Sequence, residues 1–167
     1  RVTVIDRNGN KTIYEHNKLG NAVSIKEYTK GLREGEPEYF ETSFEYNVDG
    51  ERVKATLPEG NEVENTFAAE DASSTDYTKG RFKHGNLLEN KQMPDSDRGG
   101  DQQQITPTFT YEPIYNRTRT ETDPRGNDTS YVPPNGGTHS KKRYTTTYYF
   151  DYQEGSNLNA LAEVMGI

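Results

Sequence analysis

Apolar residues in this chain come in short alternating runs cut by clusters of turn residues, never in a long block. Val2, Val4 and Ile5 lie in the first run, which ends in Asp6-Arg7-Asn8-Gly9-Asn10. Ile13 and Tyr14 lie in the second, which ends in Asn17-Lys18-Leu19-Gly20-Asn21, and a third occupies residues 22–28. Period-two alternation bounded by Gly and Asn marks half-buried strands, so a series of hairpins is predicted. Residues 39–47, 52–57 and 62–67 repeat the layout, with turns at Asp49-Gly50 and Pro58-Glu59-Gly60-Asn61. Asn8-Gly9 and Asp49-Gly50 are dipeptides that tolerate positive φ at both central positions, which predicts two-residue type I′ turns.

The runs are copies of one another. Phe44-Glu45-Tyr46-Asn47, Phe109-Thr110-Tyr111-Glu112 and Phe150-Asp151-Tyr152-Gln153 each open a unit whose marker glycine, Gly60, Gly126 or Gly166, follows 16 or 17 residues later. Tyr14-Glu15-His16-Asn17 opens an earlier unit of the same kind, with Gly9 and Gly20 as its turns. Each unit is too small to bury its own apolar face, so stability has to come from stacking on its neighbours. The organisation read from this is two units in 1–67 with a short insertion at 31–37, a long polar insertion at 68–105, and two further units in 106–167 interrupted at 132–142. The long insertion reads as a loop with a helical turn near Glu70. The segment 143–152 reads as the strongest strand. The chain then breaks pattern: Ser156 suits an N-cap, Leu158, Leu161, Ala162 and Met165 share a helical face, and Gly166 suits a stop, which predicts a helix over about 157–165. The fold class expected is mainly β, an antiparallel ribbon of hairpins with long loop insertions and that short terminal helix.

Composition makes the sheet a thin one. Val, Leu, Ile and Phe are only 27 of 167 residues, a level at which an isolated chain verges on disorder. Twelve Tyr compensate, because a tyrosine covers a strand surface while keeping its hydroxyl wet. Phe44, Tyr46, Phe109, Tyr111, Phe150 and Tyr152 alternate as i and i+2, placing each pair on one sheet face as an aromatic ladder. The same aromatics could instead form a carbohydrate-stacking platform, although packing is the commoner use of regularly spaced rings.

The net charge of −7 is spread over mixed acidic and basic residues, with no basic stripe for a phosphate backbone, so nucleic acid is set aside as a partner. No window has the apolar length of a membrane span. The chain begins at Arg1 inside a strand-like pattern, and a natural N-terminus further upstream is expected. With no cysteine, disulfides and thiolate metal sites are out, which fits a reducing compartment or a bacterial surface protein.

An aromatic-x-Tyr-Asn/Asp/Glu start, a turn Gly, an Arg-Val strand (Arg52-Val53) and a closing Gly-Asn (Gly60-Asn61, Gly126-Asn127) together resemble the YD repeats of the RHS family, over about two thirds of the chain. That family includes bacterial RHS toxins, the B and C subunits of Tc toxin complexes and animal teneurins. The resemblance implies a β-ribbon spiralling into a hollow shell that, in bacterial members, encloses a toxic C-terminal domain. It further implies a secreted or cell-surface protein whose partners are neighbouring repeats of the same longer chain and the enclosed domain. His16 in place of an aromatic, Tyr115 in place of a turn Gly and the helical last unit depart from the pattern and suggest an irregular part of the spiral.

Catalytic chemistry is not nominated. His16, His84 and His139 are isolated from one another. Asp95, Asp97 and Asp101, with Gly99 and Gly100 for a bend, are a calcium candidate, but position twelve of that loop is Thr106 where an EF-hand has Glu. Asp123-Pro124-Arg125-Gly126 resembles an autoproteolytic element of some RHS cores but lacks its Leu and Gly-rich surroundings, and reads as a repeat turn. Asn116-Arg117-Thr118 and Asn127-Asp128-Thr129 match the glycosylation sequon. The function expected is a non-catalytic shell segment; the alternative is a cell-surface adhesin or carbohydrate- or protein-binding module, with a filament as one form it could take, whose contacts lie in the insertions 68–105 and 132–142.

Overall fold

The structure, a computed structural model, describes residues 1–69, 84–100, 102–112 and 115–150. Ten strands follow one another in space in the order in which they occur in the chain, every neighbouring pair antiparallel. They are β1 (Val2–Ile5), β2 (Lys11–His16), β3 (Ala22–Tyr28), β4 (Tyr39–Tyr46), β5 (Arg52–Thr56), β6 (Glu62–Phe67), β7 (Leu87–Met93), β8 (Thr108–Tyr111), β9 (Thr118–Thr122) and β10 (Thr145–Thr147). The protein is thus mainly β, one open meander with β1 and β10 as its edges. Helical structure among the described residues is a single turn, α1 (Pro124–Asn127), and a 3-10 turn at Lys141–Tyr144. The predicted terminal helix, the turn near Glu70, Asp101, Tyr152 and Gly166 lie outside the described residues.

Register and period-two alternation sort the side chains into two faces. One face is charged and hydroxylic apart from Ile13, which lies opposite Lys26 and is buried. Lys26 lies opposite Glu41, and Lys54 opposite Glu64, with Glu62 and Lys91 continuing the row. Toward β10 the row becomes threonine: Thr108 pairs with Thr122 and Thr122 with Thr145, Thr110 with Thr120 and Thr120 with Thr147. The opposite face carries Val2, Tyr14 and Ile25 in one cross-strand line and Phe44, Ala55 and Val63 in another. Only Ile13 and Ala55 are buried hydrophobics among the described residues. With no second layer among the described residues, cohesion there rests on the backbone ladders and on cross-strand pairs, each worth about 0.2–1 kcal/mol. Examples are Lys54 Nζ to Glu62 at 2.8 Å and Lys11 Nζ lying 3.8 Å from the Tyr28 ring centre.

The tight turns are three-residue loops, correcting the type I′ expectation. Gly9 N donates to the Asp6 carbonyl and Asp6 N to the Asn10 carbonyl, both at 3.0 Å; the equivalent bonds close 17–21, 47–51 and 57–61. Gly9, Gly20, Gly50 and Gly60 have φ between +76° and +88°, whereas Asn8 and Asp49 stay at negative φ. This is a type I turn followed by a left-handed glycine. At three of the four loops the first residue favours this choice. Asp6, Asn17 and Asn47 each accept, through Oδ1, the backbone N–H groups two and four residues on, which holds the first part of the loop in the right-handed region and leaves positive φ to the glycine.

Three further readings are corrected. Residues 87–93, assigned to the insertion loop, form β7 and pair with six residues of β6. Their pattern, Leu87-Leu88-Glu89-Asn90-Lys91-Gln92-Met93, has no apolar alternation because this strand lies where the sheet is polar on both faces. Gly126 is not a left-handed turn residue. It sits within α1, where a Cβ would meet Thr122 Cγ2 at 2.8 Å and Tyr144 Cβ at 3.0 Å. The strand read at 143–152 begins instead as a 3-10 turn, and its described strand residues are Thr145–Thr147.

Candidate functional site

The recurring feature of the sheet is a joint at the end where β2, β4, β6 and β8 turn back. Glu45 pairs with Lys54 but Tyr46 pairs with Arg52, so Val53 is an extra residue on β5. The same slip leaves Val23 unpaired on β3, Leu88 on β7 and Arg119 on β9. A bulge disrupts the ladder locally and frees a backbone group. Here the freed carbonyls belong to Ala22, Arg52 and Leu87, the first residues of their strands, and the next even-numbered strand satisfies each. The Tyr46 hydroxyl donates to Ala22 O at 2.9 Å and the Tyr111 hydroxyl to Leu87 O at 2.9 Å, both across 24 residues of chain. On β6 the equivalent aromatic is Phe67, which has no hydroxyl, and Asn65 Nδ2 donates to Arg52 O at 2.9 Å in its stead.

Two of the sequence-nominated aromatics thus act through their hydroxyls. Phe44, two residues before Tyr46 on the same face, has the Arg52 guanidinium 5.4 Å from its ring centre. Phe109 and Phe150 line a shallow pocket with Tyr148 and Tyr149, and Arg119 lies 4.7 Å from the Tyr149 ring. Tyr14 is half-buried between Val2 and Ile25. Tyr28 and Tyr39, not singled out, pack with ring centres 5.4 Å apart. Burial holds the Tyr111 hydroxyl above its ordinary pKa of 10.0.

Sequence reading missed one copy of the repeat. Asn65-Thr66-Phe67-Ala68 occupies the position of Phe44-Glu45-Tyr46-Asn47, and its hairpin closes with the standard pair of bonds, Ala68 N to Asn86 O at 2.8 Å and Gly85 N to Ala68 O at 3.1 Å. The loop between them is longer than the other turns, which shifted the glycine marker out of register. The turn between β8 and β9 is the other variant. Glu112, fully buried, takes the place of Asp6 or Asn17 and accepts from Tyr115 N at 2.6 Å and Arg117 N at 3.0 Å. Asn116, not Tyr115, takes the glycine place, with φ +54°.

Asn116 and Asn86 exchange reciprocal amide bonds of 2.9 and 2.6 Å, joining two successive turns. Asn127 Nδ2 donates to Thr106 O at 2.7 Å and to Thr108 Oγ1 at 3.1 Å. Both sequon amides are therefore built into the fold. Asp123 caps α1 by accepting from Arg125 N at 3.0 Å and binds the Arg125 side chain at 2.8 and 3.1 Å, which holds its carboxyl below the ordinary value. In the calcium candidate, Asp95 Oδ1 accepts from Asp97 N at 3.0 Å and Arg98 N at 2.6 Å, and its Oδ2 packs on Gly60. No cluster of three or more His, Asp or Glu suited to a metal occurs among the described residues. His84 pairs with Asp49 at 3.1 Å. At the opposite sheet end a cleft of about 700 Å³ opens on the polar face between the β7–β8 loop and α1. No described helix is long and apolar enough to cross a membrane.

No protein-family model matches this chain, and no curated protein matches it significantly.

Proposed function

We propose that the chain is a non-catalytic wall segment of a secreted RHS-type shell that encloses or presents another domain. The observation that carries this reading is the tyrosine tie. Tyr46 and Tyr111 make the same bond, across the same 24 residues, at equivalent bulges four strands apart. A joint reproduced at that fidelity supports a unit meant to be added indefinitely, each copy stabilised by its neighbours. Among the described residues the sheet is one layer thick, wet on both faces and open at β1 and β10, which suits a wall with lumen on one side and solvent on the other. The partners proposed are further repeats of the same longer chain at those edges, and the enclosed domain.

The test is electron microscopy of the longest natural chain that contains this segment. A hollow, closed particle is the expected result. A filament or a compact solid domain would overturn enclosure.

A further inference from the structure

We propose that the outer edge of β1 is an interface for the β10 edge of a second copy of this chain, joined head to tail as one more antiparallel pair. The sheet itself supplies the template. Thr3 stands opposite Ile13 on β2 as Ser24 does opposite Ser43, Lys54 opposite Glu64, Glu89 opposite Thr108 and Thr120 opposite Thr147. Those four are also paired on their other side, Ser24 with Glu15, Lys54 with Glu45, Glu89 with Thr66 and Thr120 with Thr110. Thr3 has no such partner among the described residues. Val4, the next residue, corresponds to Ile25, Ala55, Asn90 and Glu121. Three of these four lie opposite an aromatic residue, respectively Tyr14, Phe44 and, for Glu121, Phe109, whereas Val4 is 46% exposed.

β10 presents the strand that this edge lacks. Thr147 matches Thr108 in register, so Tyr148 takes the place of Phe109 and Tyr149 that of Thr110. Laying β10 on β1 of a second copy in the β8–β9 register puts Thr147 opposite Ile5, Tyr148 opposite Val4 and Tyr149 opposite Thr3. The hydrogen-bonding groups agree, because bonding alternates along an antiparallel pair. Asp6 N bonds to Asn10 O, so Val2 and Val4 turn their backbone groups to β2, and Thr3 and Ile5 turn theirs outward. Asp123 N bonds to Tyr144 O and Tyr148 N to Arg119 O, so Thr145, Thr147 and Tyr149 turn theirs outward. β1 also lacks the devices that protect an edge, having no Lys, no Pro and no bulge in its pairing with β2, and Val2, Ile5, Tyr148 and Tyr149 are all exposed. Pairing β1 with β1 of the second copy would bring no ring to Val4, which is why β10 is the partner. Because the two edges differ, the contact is heterologous and repeats into rings or open chains. The inference does not rest on enclosure: a longer chain that fills either edge with its own repeats makes the same joint within one molecule.

The test is sedimentation equilibrium of the full chain and of two edge variants. The unmodified chain should associate reversibly below about 1 mM, weakly because the seam is only a few residues long. Thr3→Pro removes an outward N–H from β1 and Thr147→Pro one from β10, and neither N–H bonds within the sheet, so an edge strand tolerates both. Each variant alone should be monomeric. A mixture of the two should form a one-to-one dimer, because one keeps a working β10 and the other a working β1. Tyr148→Ala should weaken association about fivefold. Far-ultraviolet circular dichroism checks folding; Ile5→Lys and Thr147→Lys, both at exposed positions, replace a proline variant that unfolds, since an edge lysine frustrates pairing. A chain monomeric at about 1 mM, association that survives in either variant alone, a mixture that stays monomeric, or association undiminished by Tyr148→Ala would each overturn the assignment.

Discussion

The Tyr46 hydroxyl reaches back 24 residues to the Ala22 carbonyl at 2.9 Å and so binds the second hairpin of the sheet to the bulge of the first. Tyr111 does the same to Leu87, and Asn65 substitutes for it at Arg52. The bulge and the side-chain donor form one device, since the first frees an acceptor and the second satisfies it.

Removing the donor should therefore cost stability without altering the surface. Tyr46→Phe and Tyr111→Phe are each expected to lower unfolding free energy by about 1 kcal/mol. Because four strands separate the two, the double variant should be additive to within about 0.5 kcal/mol. Urea titrations followed by circular dichroism measure this. A loss under about 0.3 kcal/mol in both would mean that water replaces the hydroxyl.

The glycines divide into two physical classes that substitution separates. Gly9 and Gly20 have positive φ and open space around a Cβ, so alanine should cost about 1–2 kcal/mol and asparagine, which tolerates that conformation, distinctly less. Gly126 is limited by Thr122 and Tyr144. There alanine should cost about 1–3 kcal/mol, and asparagine should be worse than alanine. The order of the Ala and Asn variants in melting temperature is the readout.

Stability should be flat through neutral pH and fall on both sides. The Lys54 bond draws Glu62 below its ordinary 4.5, and bonds to Asn10 draw Asp6 below 3.8. Carboxylates lowered in the folded state contribute above their unfolded values and lose that contribution as pH falls through the folded ones. On the alkaline side Tyr111, raised above 10.0 by burial, contributes below its unfolded value and loses the contribution as pH rises through its folded one. Urea midpoints should hold between about pH 5 and 9.5, with shallow slopes because the charged partners are solvent-screened. Phenolate absorbance should place Tyr111 among the last tyrosines to ionise.

Neither sequon should carry a glycan efficiently. Attachment at Asn116 would break the amide pair with Asn86, and at Asn127 would displace the bonds to Thr106 and Thr108. Intact-mass measurement of the chain secreted from a glycosylating host should find both asparagines unmodified.

The strands were legible because the β-branched and aromatic runs around Ile13, Ile25 and Phe44 are short and Gly9, Gly20, Gly50 and Gly60 punctuate them. The turn type was not, because Asn-Gly and Asp-Gly dipeptides serve both two- and three-residue loops. The side chain at Asp6, Asn17 or Asn47, three residues before the glycine, favours the three-residue loop at three of the four turns, and at the fourth, which starts at Leu57, Pro58 presets φ for it. β7 was missed because neither of its faces is apolar, leaving periodicity with nothing to report. The tie of Tyr46 to Ala22 is invisible to pattern, since it depends on a bulge that only pairing register reveals. The cleft escaped for a related reason: Glu89, Thr106 and Asp128, which line it, come from three separate segments and meet only when β7, β8 and the start of the β9–β10 connection lie side by side.

Strand order identical to chain order also fixes how the sheet bears load. Tension applied between Arg1 and residue 150 acts on the two edges, β1 and β10, and peels one ladder at a time instead of shearing many together. Such a sheet should yield at low force in successive hairpin-sized steps, and in an optical trap it should unravel gradually from its edges. Anchoring β1 and β10 in further strands would remove both starting points at once, making resistance to pulling a property of the joined wall and not of the piece.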